Sequence, residues 1–99
     1  MSTGNERHEA AARIADLVNL LQAGAASGET ARIIEECEAL ARAIAAFHME
    51  GIRFRMYNVD RLLAQHAAIV PAEARALLET ARHNLEAAGF HTRSHQSPV

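Results

Sequence analysis

Apolar residues recur every three or four positions through the first quarter of the chain, a spacing that places them on one stripe of an amphipathic helix. This spacing predicts a first helix over about residues 6–23. Gly24 is suited to end it, because glycine readily adopts the left-handed conformation that follows many helices. The apolar stripe consists of Ala10, Ile14, Leu17, Val18 and Leu21.

A second apolar row follows Ser27 and Thr30, and the hydroxyl of either residue can cap the start of a helix. This row consists of Ile33, Cys37, Leu40, Ile44 and Phe47. With about 100° of rotation per residue, the apolar arc continues in the same phase beyond Gly51. We therefore predict one long helix over about residues 29–68, with Gly51 as the place where it could bend or break. The residues that share this arc are Ile44, Val59, Leu62, Leu63 and Val70.

Pro71 marks the start of a last helix, because proline fits the first helical position. The apolar spacing predicts this third helix over about residues 71–88, with Gly89 as its terminator. Residues 91–99 are polar and show no periodicity, so we predict a single helical domain over residues 1–90 followed by a flexible tail. The apolar face of the third helix consists of Ala74, Leu77, Leu78, Ala81, Leu85 and Ala88.

The hydrophobic core of this chain is expected to be small. Of its 99 residues, 49% are hydrophobic but only 4% are aromatic, and alanine is abundant. Small domains bury a low share of their surface and often gain stability by association. The predicted long helix would also be only partly covered by its two shorter neighbours. We therefore predict a small helical bundle that assembles as a dimer, with two long helices crossing antiparallel near residue 57.

Three polar side chains interrupt the apolar arc of the predicted long helix: His48, Arg55 and His66. A buried guanidinium cannot lose its charge, so Arg55 needs an acidic partner or access to water. We interpret the three residues as a buried polar stripe that specifies how two helices meet. An anion-binding role for Arg55 and a metal or phosphate site formed by histidines of two chains remain alternatives. The candidate acids are Glu38, Asp16 and Glu79.

A signalling function is an alternative for His48. It resembles the histidine of histidine phosphotransfer domains, which is exposed midway along a bundle helix. That family's motif places Lys and Gly at the third and fourth positions after the histidine, whereas His48 is followed by Met49, Glu50 and Gly51 and lacks the Lys. An interaction protein should bury or hydrogen-bond this ring, while phosphotransfer requires it in water beside a cation.

Other residues that could carry chemistry fit structural roles better. The glutamates of the EECE segment point in three directions on a helix, which is typical of a solvated acidic face rather than a carboxylate metal site. Cys37 belongs to an apolar row and is expected to be a core residue. His91 and His95 have a metal-ligand spacing but lie in the polar tail. We predict no cofactor and no metal site. The three glutamates are Glu35, Glu36 and Glu38.

The charge balance narrows the range of partners. A formal net charge of −2 gives no reason to expect binding to nucleic acid or to an anionic membrane surface. All 10 basic residues other than histidine are arginine, a bias associated with GC-rich bacterial genomes. The single cysteine cannot form an intrachain disulfide, and neither a signal peptide nor a membrane-spanning segment is evident, so we expect a cytoplasmic protein.

These observations favour a non-enzymatic interaction or regulatory adaptor that acts as a homodimer. Its expected partner is a second copy of itself, and another protein partner remains open. The alternatives are a phosphotransfer-like domain that uses His48 and a helical bundle that binds a metal or an anion.

Overall fold

The computed structural model describes residues 3–24 and 27–90, with side chains described from Asn5 onward. Over these residues the chain forms four helices and no strand, which confirms the all-helical class. The predicted flexible tail, residues 91–99, lies outside the described residues. The helices are α1 (Thr3–Ala23), α2 (Gly28–Ala45), α3 (Met49–Gln65) and α4 (Ala72–Ala87).

The four helices are not covered equally. α1 packs along both α2 and α4, whereas α3 packs along α2 and meets α4 only lightly. All four contribute fully buried side chains to one core, among them Ile14, Leu40, Met56 and Leu78. α3 and α4 therefore each have one extensive neighbour, α2 and α1 respectively.

The apolar faces predicted from the sequence form most of this core. Val18, Val70, Leu77 and Ala88 are only partly buried. Phe47 was expected in the core row of the second helix but is 64% exposed. The other residues of the predicted faces are buried: Ala10, Ile14, Leu17, Leu21, Ile33, Cys37, Leu40, Ile44, Val59, Leu62, Leu63, Ala74, Leu78, Ala81 and Leu85.

The prediction of one continuous helix over residues 29–68 is wrong. α2 ends at Ala45 and α3 begins at Met49, so the break precedes Gly51. The apolar residues on both sides of Gly51 share one helical phase, but this agreement does not require a continuous helix. After a turn, a new helix can take any rotation about its axis, including the rotation that a continuous helix would have had. Phase therefore does not test continuity.

The break is a Schellman motif, in which two amides that follow a helix donate back to its last turn. Phe47 N donates to Ile44 O at 3.1 Å, and His48 N donates to Ala43 O at 3.0 Å. Phe47 takes the position that glycine usually occupies, with a φ of 61° in the left-handed region. This conformation costs a non-glycine residue about 1–2 kcal/mol.

Two neighbours contact the strained Phe47. The guanidinium carbon of Arg7 lies 4.4 Å from the centre of the Phe47 ring, and the Phe90 ring centre lies 5.4 Å away. Arg7 Nη1 also donates to Ile44 O at 3.0 Å, at the end of α2. Cation–π and aromatic contacts each contribute about 0.5–1.5 kcal/mol, so together they can offset the backbone strain.

His48 caps the start of α3. Its Nδ1 accepts a hydrogen bond from Gly51 N at 2.8 Å. A Cβ at Gly51 would lie 2.8 Å from that nitrogen and 3.3 Å from the Cβ of Ala43 on α2. Gly51 therefore allows α2 and α3 to approach closely beside the cap, and it does not form the turn.

The predicted ends of the outer helices lie close to the observed ones. Ser27 caps α2 as expected, accepting a hydrogen bond from Thr30 N at 3.0 Å. Pro71 precedes α4 as its N-cap instead of being its first residue. Gly89 ends α4 with a φ of 99°, as predicted.

Candidate functional site

Within one protomer, the three polar residues of the predicted stripe do not form a buried stripe. His48 is exposed at the start of α3, Arg55 is partly buried within α3, and His66 is partly buried as the C-cap of that helix. His48 also lies in a turn and not midway along a helix, so it departs further from the phosphotransfer pattern. A role for these residues in specifying a dimer stays a prediction.

Arg55 is paired with Glu36. Its Nη1 lies 3.2 Å from each carboxylate oxygen, and Asn58 Nδ2 donates to Glu36 Oε1 at 3.3 Å. None of the predicted acids is the partner. In a continuous helix, Glu36 and Arg55 would lie roughly 28 Å apart. The turn between α2 and α3 brings them side by side, which is why the sequence prediction missed this pair.

The buried arginine of the structure is Arg82, which is 4% exposed. Its Nε donates to Glu79 Oε2 at 3.1 Å, and its Nη2 lies 3.8 Å from Asp60 Oδ2. Arg75 Nη2 lies 3.4 Å from the other oxygen of Asp60. Asp60 on α3 therefore pairs with two arginines of α4, across the interface with the least packing.

The outer face of α3 carries a row of four residues with spacings of four, three and four: Glu50, Phe54, Tyr57 and Arg61. We call this row the α3 stripe. This spacing places all four on one side of a helix, as along the contact line of a coiled coil. Phe54 is 49% exposed and Tyr57 is 39% exposed. Two aromatic residues on adjacent turns of α3 are thus partly exposed to solvent.

The charges at the two ends of the α3 stripe differ in their local partners. Glu50 Oε2 pairs with Arg53 Nη1 at 3.0 Å on the same helix. Arg61, at the other end, makes no hydrogen bond or ion pair with any residue in the described ranges. The stripe therefore consists of an acid at its start, two aromatic rings at its centre and an arginine at its end.

Cys37 fits the core role predicted for it. The thiol is fully buried, and burial raises its pKa from 9.0 to about 12, with smaller contributions from the neighbouring charges of Glu36 and Glu38. A thiol with so high a pKa stays protonated near neutral pH and is a poor nucleophile.

Metal ligands are not clustered in the described part of the chain. Residues 3–24 and 27–90 contain no group of three His, Cys, Asp or Glu side chains arranged to hold a metal ion. The predicted pairing of His91 with His95 lies outside these ranges.

No family model, curated protein or solved structure matches this chain. Among the four described helices, none combines the length and apolarity needed to cross a bilayer. Function is therefore inferred from the surfaces of the molecule itself.

Proposed function

We propose that the protein is a non-enzymatic interaction protein that acts as a homodimer through the α3 stripe. The observation that carries this proposal is the exposed pair Phe54 and Tyr57 on the outer face of α3, a helix with one extensive neighbour. Aromatic residues contribute large contact areas to interfaces, and adjacent exposed apolar side chains often mark interaction surfaces.

The α3 stripe is complementary to a second copy of itself. If two α3 helices pack antiparallel with their midpoint between residues 55 and 56, Phe54 lies opposite Tyr57 of the other chain. The same midpoint places Glu50 opposite Arg61, because both pairs are symmetric about it. Aromatic contacts then occupy the centre, with an ion pair at each end. A twofold dimer requires this kind of self-complementary surface.

The structural roles of the reactive side chains support a non-enzymatic function. His48 caps α3, and Glu36 pairs with Arg55 and Asn58. Cys37 is buried as a neutral thiol. These residues act in folding, which leaves recognition as the function that the exposed surface supports best. A dimer would present two copies of its remaining surfaces to a protein partner, as a regulatory adaptor does.

Sedimentation equilibrium of wild-type protein and of Phe54→Asp tests this proposal. At micromolar concentrations the wild type should sediment at twice the 10.8 kDa mass of one chain. Phe54→Asp places a charge at the centre of the interface and should raise the dissociation constant of the dimer at least about 30-fold.

The matched control is Asn19→Asp, which adds the same charge to an exposed position on α1. It should leave the dissociation constant unchanged. Circular dichroism would establish that both variants remain helical. A wild type that is monomeric throughout the concentration series would refute the dimer, and equal dissociation of the two variants would place the interface elsewhere.

A further inference from the structure

We propose that a cleft between the start of α2 and the end of α3 binds a small soluble anion that carries phosphate groups. Its volume is about 400 Å³, within the range of small-ligand sites. The cleft is lined from α2 by Gly28, Glu29 and Arg32, and from the α3 side by Arg61, Leu62, Gln65 and His66.

Two arginines in this cleft have no hydrogen-bond or ion-pair partner among the described residues. The acid four residues beyond Arg32 is Glu36, which already pairs with Arg55. Neither Arg32 nor Arg61 makes a hydrogen bond or ion pair within residues 3–24 and 27–90. The remaining residues of the sequence include no Asp or Glu side chain that could pair with them. Two guanidinium groups on one cleft are thus available to a ligand.

The chemistry of the lining favours phosphate. A guanidinium presents several N–H donors in a planar fork that matches two oxygens of a phosphate group. The amide of Gln65 and the ring of His66 can add hydrogen-bond donors on the same wall. The described lining residues include no Phe, Tyr or Trp against which a nucleobase could stack. The phosphate groups, and not a base, are therefore the recognised part.

Glu29 is the one carboxylate that lines the cleft. It opposes an anion, but two guanidinium groups outweigh it. The cleft therefore selects a ligand with more than one negative charge, which can contact both arginines. Inorganic pyrophosphate has this character and is the probe for the test.

Isothermal titration calorimetry at constant ionic strength provides the measurement. The wild type should bind one pyrophosphate per protomer, and Arg32→Ala should weaken binding at least about tenfold. Arg42→Ala is the matched control, because Arg42 is an exposed arginine of α2 outside the cleft. It should change the affinity by less than about twofold. Glu29→Gln should strengthen binding by removing the opposing charge.

Three results would overturn the assignment, and two of them concern pyrophosphate binding alone. One is the absence of pyrophosphate binding by the wild type at millimolar concentration. The other is an equal loss of affinity in Arg32→Ala and Arg42→Ala, which would indicate a general charge effect. Binding to vesicles that contain phosphatidic acid, without binding of pyrophosphate, would also reject a soluble ligand.

The cleft is independent of the proposed dimer except at Arg61, which belongs to both. For this reason the test varies Arg32 and leaves Arg61 intact. Phe54→Asp, which should be monomeric if the α3 stripe forms the interface, is expected to bind pyrophosphate at least as tightly as the wild type, because Arg61 would be released from its interchain ion pair. Loss of dimerisation and loss of anion binding can therefore be observed separately.

Discussion

α1 and α3 are both amphipathic helices of one bundle, yet they present different surfaces to solvent. α1 is packed by α2 and α4, and the charges on its outer face are neutralised locally: Arg13 pairs with Glu9 at 3.1 Å and with Asp16 at 3.0 Å. α3 has one extensive neighbour, and its outer face carries Phe54, Tyr57 and an unpaired Arg61 within the described residues.

A helix can have its surface groups satisfied within the monomer, or it can carry apolar and charged groups that a partner would contact. On α1, Arg13 already satisfies the charges of Glu9 and Asp16 within the same helix. α3 is also positioned more by specific polar contacts than α1 is, through the His48 cap, the Arg55 pair and the contacts of Asp60. Substitutions that disturb the His48 cap or the Asp60 contacts should affect the protein more than matched substitutions on α1.

The thiol of Cys37 on α2 lies in the core to which α1 and α3 both contribute, and its ionisation can be used to test whether that core is intact. In the unfolded chain its thiol should ionise above pH 9.0, while the folded state holds its pKa near 12. The raised pKa means that this contribution to stability is complete below pH 9.0 and is lost as pH rises towards 12.

Between pH 8.5 and 10.5, the free energy of unfolding should therefore fall by about 2 kcal/mol, as measured by urea unfolding. Cys37→Ala should lack this part of the fall, because it has no thiol to ionise. The same pH dependence in both proteins would contradict burial of a neutral thiol at this position.

Asp60 connects α3 to α4 through ion pairs with Arg75 and Arg82. Asp60→Asn should lower the free energy of unfolding by about 1.5 kcal/mol, because the buried Arg82 would lose one of its charged partners. The matched change on α1, Asp16→Asn, removes an exposed partner of Arg13 and should cost less than about 0.5 kcal/mol. If thermal or urea unfolding shows equal losses of stability for Asp60→Asn and Asp16→Asn, the Asp60 contacts do not stabilise α3 more than the local ion pair stabilises α1.

Two glycines lie near helix ends, Gly51 in the first turn of α3 and Gly24 directly after α1. Gly51→Ala should destabilise the protein by about 1 kcal/mol, because the new Cβ would displace the His48 cap and press on Ala43. Gly24→Ala, at the end of α1, meets only an ordinary contact of 3.6 Å and should be neutral or slightly stabilising. A stabilising effect at Gly51 would show that helix propensity outweighs the cap.

Arg55→Leu should have the smallest effect, within about 0.5 kcal/mol in the free energy of unfolding. Its side chain is 38% exposed, so water screens the pair with Glu36. Glu36→Gln should likewise cost less than about 1 kcal/mol. A loss of several kcal/mol from either change would indicate that this pair is buried in an assembly.

Much of the core could be predicted from the sequence because burial follows helical periodicity within each segment. Arg82 could have been found in the same way, since it lies four residues after Leu78 and three before Leu85, both buried. The turn could not be found by searching for the usual signals. Glycine was expected at the helix end and Ser, Thr, Asp or Asn at the cap, whereas Phe47 and His48 take these positions.

The partners of the polar residues depend on that turn. Glu36 and Arg55 are 19 positions apart in the sequence and meet only because α2 and α3 fold back on each other. The left-handed conformation of Phe47 depends in turn on Arg7 and Phe90, from the two ends of the chain. Local sequence contains no signal for contacts made by such distant residues.

The most direct test of the α3 stripe is a charge reversal within it, measured as the dissociation constant of the dimer. Glu50→Arg and Arg61→Glu should each weaken the dimer about 5- to 30-fold, because each sets like charges opposite one another at both ends of the stripe. The double variant restores opposite charges in the antiparallel arrangement and should return to within about threefold of the wild type. A double variant weaker than either single variant would contradict the antiparallel α3 dimer.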